Sequence, residues 1–273
     1  MFGILTVRQP ADLAAVKRAA LRLCPGKGVE YGEGLFRMAM FVTAAVTLPA
    51  GWSDGLREKR VTAALRYLAG RGIHEAVLPQ EWQSLARTMG ISPIRDRWAL
   101  EACGARAVSE ACAAMGITPG QVGLAVCGRS LSRTACGEVL TLARSMRTVR
   151  VYGEGNEALR AQLWRGCGIV DSGPMPEDLP VLCLLFAGGQ AWAGALLTVD
   201  LRGEGERGTG AVWTPDPLPP AGALGRMPRE VCPAAFAAAL LRCGAVQGRE
   251  IHVSRLDIPA PAQYNKEIVE NYC

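Results

Sequence analysis

At 273 residues the chain is long enough to bury one large core or two ordinary ones. Hydrophobic residues make up 49% and charged residues 20%, which excludes a disordered chain. The formal charge of +5 comes from 30 basic and 25 acidic residues with no block of one sign and few aromatics beside the cations, so a nucleic-acid groove, which concentrates both, is not expected.

The first third reads as a small α/β layer. Residues 2–7 (FGILTV) form a strand and residues 11–23 (ADLAAVKRAALRL) an amphipathic helix with Asp12 in its first turn. The run at 37–48 (RMAMFVTAAVTL) is rich in β-formers and reads as a long buried strand. Ser53 and Asp54 offer an N-cap to a helix through Leu68, which stops at Gly70, Arg71 and Gly72. Residues 73–79 (IHEAVLP) give a third strand and 81–88 a short helix, and this alternation predicts parallel strands. A turn at Ile91, Ser92 and Pro93 closes the region. The longest helical pattern then runs over 96–115, halted by Gly116 and by Pro119 and Gly120. It reads as a connector packed through Trp98, Cys103 and Ala107.

Residues 122–168 carry the clearest pattern. The run VGLAVCG feeds a short loop, RSLSR, and the helical stretch TACGEVLTLARSMR. TVRVYGEG and NEALRAQLWRGCG repeat strand and helix, which is how a parallel βαβ unit is written. Strands follow at 179–187 and 195–201, the second continuing through the turn RGEGERG into a hairpin with 209–213. The Pro- and Gly-rich stretch 214–228 predicts an irregular exposed loop, then come a helix at 232–243, a strand at 250–256 and a Pro-led arm after Ile258. The expected fold is therefore α/β: an N-terminal small α/β domain (1–95), a connecting helix (96–117), and a Rossmann-like, mostly parallel sheet domain with a C-terminal arm (118–273).

Ten cysteines invite disulfides or metal, but none forms a CxxC pair; Cys103 and Cys112, like Cys127 and Cys136, stand nine apart, which is no zinc spacing. Most lie among Ala, Val and Leu, where a thiol packs as a small hydrophobe. With no signal-peptide pattern at the start, free thiols in a reducing cytoplasm are expected. The longest apolar run, 38–49, falls short of the roughly 18 residues a membrane span needs. Neither His74 nor His252 belongs to a metal-binding pattern, and no G-x-S-x-G elbow or phosphate-binding G-x-x-x-x-G-K-[ST] loop occurs.

Ligands of such a fold sit outside the carboxyl ends of the strands, which here means the loop from Cys127 to Arg133. Of the glycines in a G-x-G-x-x-G fingerprint only Gly128 is present, and Arg129 stands where a backbone would approach a pyrophosphate. Ser130, Ser132, Arg129 and Arg133 together make a candidate anion site, the competing reading being that Ser132 caps the helix and the arginines are solvated. Glu154, 26 residues beyond Gly128 and between Gly153 and Gly155, is the candidate for a ribose hydroxyl, or a turn residue ahead of an Asn156 N-cap. Among Asp171, Asp178 and Asp200 at later strand ends or turns, Asp200 is the best placed to face the crevice, and Gly188 and Gly189 mark another approachable turn. Cys127, beside Arg129, is the one thiol expected in an electropositive setting and so a candidate nucleophile.

The order of parts resembles that of the shikimate dehydrogenase and glutamyl-tRNA reductase group, which joins a smaller N-terminal α/β domain to a Rossmann domain. Ser132 and Arg133 match the end of that group's loop, whereas Cys127 and Arg129 replace its first and second glycines. The resemblance implies the fold alone, since the catalytic Lys and Asp of the dehydrogenases and the catalytic Cys of the reductases find no counterpart here; NAD(P) is the first cofactor to consider for the loop itself. Two functions remain open. One is binding of a nucleotide or phosphate-bearing small molecule, with a dehydrogenase-type reaction the first to test. The other is a non-catalytic Rossmann-derived protein acting through protein contacts, as a homodimer, with Trp213, the 214–228 loop and the 264–272 tail as its surfaces.

Overall fold

The first apolar run becomes the middle of a five-stranded sheet. In the computed structural model, which describes residues 1–9, 21, 28–170, 174–203 and 212–254, the chain divides into two compact units. The expected 11–23 helix, Asp171, most of the RGEGERG turn, and the tail lie outside the described residues.

The first unit holds Met1–Cys103 and Asp216–His252. Its sheet runs β2-β3-β1-β4-β5, with β1 (Phe2–Arg8), β2 (Val29–Phe36), β3 (Ala39–Thr47), β4 (Glu75–Val77) and β5 (Ser92–Pro93). β1 pairs parallel with β3 and β4, and β4 parallel with β5, so residues 92–93 extend the sheet rather than turn. The all-parallel expectation fails at β2, which is antiparallel to β3 through a turn at Arg37 and Met38. The strand expected over 37–48 therefore begins two residues later. Two glycines and two glutamates disguise β2 (VEYGEGLF) as a loop. Gly34 is required there, because a Cβ would lie 2.2 Å from the ring of Phe41 opposite.

Helix α1 (Asp54–Gly70) buries Val61, Ala64, Leu65 and Leu68 against Val42, Ala44 and Val46. Ser53 is its N-cap residue, although its side chain makes no capping bond. Helix α2 (Gln83–Thr88) follows. The single helix expected over 96–115 is two, α3 (Arg97–Ala102) and α4 (Gly104–Met115), interrupted at Cys103 (φ −104°, ψ 8°). Gly104, which lacks the Cβ that favours helix, follows the break.

The 214–228 stretch is also more ordered than expected. Pro217 and Pro219 are buried, β11 (Pro217–Leu218) pairs with β12 (His252–Val253), and α7 spans Ala221–Leu224. The expected 250–256 strand is reduced to β12 within the described residues. Helix α8 (Pro233–Arg242) is buried on nearly every side, and Phe236 meets the rings of Phe2 and Phe41 edge-on at 6.0 and 5.5 Å.

The second unit, built on Gly104–Leu201, holds a wholly parallel sheet in the order β10-β9-β8-β6-β7. It contains β6 (Gly123–Cys127), α5 (Arg133–Ala143), β7 (Thr148–Tyr152), α6 (Glu157–Cys167), β8 (Val181–Leu185), β9 (Leu197–Asp200) and β10 (Val212–Trp213). The expected hairpin is corrected: β10 runs parallel to β9, with Val212 opposite Thr198. α4 packs on α5 and β9, and α5 on α6. The opposite face, with Ala125, Cys127, Cys183 and Leu185, is covered by Met175, Leu179 and Trp192 from irregular segments instead of a second helical layer. The fold is α/β with parallel-stranded sheets, Rossmann-like in this unit. Among the described residues no helix is long and apolar enough to cross a membrane.

Candidate functional site

β6 lies between β7 and β8, so the chain leaves it to one side and returns on the other. That reversal is where an open α/β sheet leaves a crevice outside its strand ends. The loops after β6, β7 and β8 meet there, and the first N–H groups of the β6 loop are engaged within the protein. The Gly128 N–H donates to the Tyr152 carbonyl (3.1 Å), Arg129 N–H to Ala187 (3.0 Å), Ser130 N–H to Glu154 (3.0 Å) and Leu131 N–H to Asn156 Oδ1 (3.0 Å). Four consecutive donors are spent inside the protein. A fully glycine-lined loop could present them to a phosphate; this one is stitched to its neighbours.

Close backbone contact makes the stitching possible. A Cβ on Gly153 (φ +110°) would fall 2.1 Å from the Gly128 oxygen, and one on Gly189 2.5 Å from the Cys127 oxygen. Asn156, 2% exposed, stands at the N-cap position of α6 but does not cap it. Its Nδ2 instead donates to the Gly128 carbonyl at 2.8 Å. Sequence reasoning placed Asn156 at a helix start and missed this clasp, which joins residues 28 positions apart.

The remaining candidates divide between solvent and interior. Ser132 is the N-cap of α5, its hydroxyl accepting from Ala135 N–H at 3.1 Å. Ser130 takes a left-handed backbone (φ 45°), uncommon for a residue with a side chain. Arg129 and Glu154, 67% and 86% exposed, lie 3.8 Å apart as an open ion pair, and Arg133 is exposed on the first turn of α5. Gly188 accommodates the stem of Arg129, whose Cβ lies 3.1 Å from where its own would be. Asp200 ends β9 only 3% exposed, on the buried side with Cys183, instead of facing open solvent. Asp178 is exposed.

Cys127 is not the electropositive thiol expected. It is 4% exposed with its sulfur 3.8 Å from that of Cys183. The hydrogen bond with Cys183 and burial both push its pKa up, so it stays a thiol and not a nucleophilic thiolate. The side chain turns into the sheet face, whereas that of Arg129 turns to solvent.

A concavity of about 460 Å³ lies wholly within the first unit, by the carboxyl ends of β4 and β5. Leu5, Val77 and Ile94 floor it, and Arg95, Asp96 and Glu230 stand among its polar lining. A sequence signal for it was present: polar residues come within three positions of both strand ends, Gln80 after β4 and Arg95 and Asp96 after β5.

No family model matches the chain, and no curated protein matches it. Among solved structures it is similar to the L-tryptophan dehydrogenase of Nostoc punctiforme, with 12% identity and a TM-score of 0.30 over 75% of this chain. The match spans 64% of that chain, and no residue role or activity is carried across from it.

Proposed function

We propose that the second unit binds a nucleotide or other phosphate-bearing small molecule along the edge formed by Gly128, Arg129, Ser130, Ser132 and Arg133, with NAD(P) the first cofactor to test. The observation that carries this reading is the pair Arg129 and Glu154, 3.8 Å apart at the ends of adjacent parallel strands. Glu154 follows the second strand of the βαβ unit, where a carboxylate meets a ribose hydroxyl. Because the N–H groups of Gly128 to Leu131 are spent internally, phosphate is held chiefly by the guanidinium groups of Arg129 and Arg133 and the Ser130 hydroxyl. Asp200 acts from beneath, shaping the strand ends without touching ligand. The match of Ser132 and Arg133 to the shikimate dehydrogenase and glutamyl-tRNA reductase group is in keeping with this. The reaction class to test first is a dehydrogenation.

Melting curves with millimolar NADH, NADPH and AMP test the proposal. A ligand of the folded state stabilises by RT ln(1 + [L]/Kd), so a rise is expected that Arg129→Ala and Arg133→Ala each diminish. Flat curves with all three ligands overturn it.

A second reading, a non-catalytic protein acting by contact as a homodimer, is favoured by the internally satisfied loop from Gly128 to Leu131. Flat melting curves together with a dimer by light scattering support it; a monomer at all concentrations removes the homodimer.

A further inference from the structure

We infer that the first unit carries a separate binding site, in the cavity beside β4 and β5, for a small molecule bearing a protonated amine on an apolar body. At about 460 Å³ the space is of the size that small ligands fill, and far larger than the voids that side-chain packing leaves. Its floor is apolar and buried: Leu5, Val77 and Ile94 are all less than a tenth exposed.

The charges of its polar lining select the ligand. Glu230 is already held by Arg8, Nε to Oε1 at 2.7 Å. Asp96 is half-buried at the N-cap position of α3, yet its side chain does not cap the helix. A carboxylate beside an apolar floor has lost part of its hydration and gains more from a cation than one in open water. Arg95 is the remaining cation among the described lining residues, and it is exposed. A polyanion such as a nucleotide would face both Asp96 and Glu230 across this cavity with one arginine in its favour, so the ligand class differs from that proposed for the second unit. An ammonium group seated on Asp96 places its apolar portion on Leu5, Val77 and Ile94. The amine arrives either alone or on an amino acid whose carboxylate meets Arg95.

Calorimetric titration of the full chain with phenethylamine, L-phenylalanine and 3-phenylpropionate tests this. Phenethylamine is expected to bind and 3-phenylpropionate not to. Asp96→Asn should weaken amine binding at least ten-fold. Binding of L-phenylalanine that Arg95→Gln weakens, with phenethylamine unaffected, identifies the amino acid as the source; binding of phenethylamine alone identifies a simple amine. Gln80→Trp, at an exposed position lining the cavity, should abolish binding while the melting temperature holds, and it serves if Asp96→Asn does not fold. The inference is overturned if neither amine binds, if 3-phenylpropionate binds as tightly as phenethylamine, or if Asp96→Asn and Gln80→Trp, both folded, bind as the parent does.

Discussion

Asn156 holds Gly128 in place: its amide nitrogen donates to the Gly128 carbonyl at 2.8 Å while its oxygen accepts from the N–H of Leu131 at 3.0 Å. One side chain from the start of α6 thus satisfies two backbone groups of the loop after β6. The loop keeps its shape without the glycines that usually give it, and it does so by consuming the amides those glycines would expose.

Asn156→Ala should therefore destabilise the chain by about 2–4 kcal/mol, since it leaves a carbonyl and an N–H without partners in a largely buried setting. Asn156→Asp keeps the acceptor but sets a second oxygen against the Gly128 carbonyl in a buried setting, so it should cost at least as much as alanine. Urea unfolding followed by circular dichroism measures both. An alanine variant as stable as the parent would show that water replaces the clasp.

Thiol labelling should follow burial rather than the neighbourhood of arginines. Cys232 is exposed, whereas Cys127 and Cys183 lie within the sheet face and share a hydrogen bond. Iodoacetamide at pH 8 is expected to modify Cys232 early and to reach Cys127 only when the protein unfolds, as read by peptide mass spectrometry. Early modification of Cys127 would contradict the upward shift of its pKa.

Glu138 couples stability to pH. Its carboxylate accepts from the Ala105 N–H at 2.9 Å, at the start of α4, but burial outweighs that bond and raises its pKa above the ordinary 4.5. Through the window above 4.5 the folded state holds the proton more tightly than the unfolded chain, so stability falls as pH rises. Glu138→Gln keeps an acceptor for Ala105 and removes the charge. The variant should gain on the parent as pH is raised from 4 to 7, by denaturant unfolding at each pH. A constant difference across that range would mean the carboxyl is not the titrating group.

How far the sequence reaches can be judged element by element. β6, α5, β7 and α6 were legible because each depends on its own periodicity: an unbroken apolar run for β6, buried on both faces, alternation around Val149 and Val151 for β7, and helical spacing with a cap at Ser132 and a left-handed Gly168 for the helices. The stop of α1 at Gly70 and Gly72 was legible for the same reason. β2 was not. Glycines at 32 and 34 and glutamates at 30 and 33 argue for a loop, and only pairing with β3 and the ring of Phe41 over Gly34 turn that segment into an edge strand. The direction of β10 and the burial of Pro217 and Pro219 likewise depend on partners distant in the chain.

The same division runs through the candidate sites. Residue types alone marked the loop between Cys127 and Arg133, the cap at Ser132, and Glu154 at the following strand end, because each follows from a short stretch of chain. Whether the loop's amides face solvent was decided by Ala187, Glu154 and Asn156, contributed by two other loops. The cavity of the first unit brings Leu5, Val77, Ile94 and Glu230 together from four separate segments. A hydrophobic pattern determines which face of an element is buried. Which polar groups are left unsatisfied, and where space remains, is settled only when distant elements pack, since hydrogen bonds and voids depend on distances that local sequence does not encode.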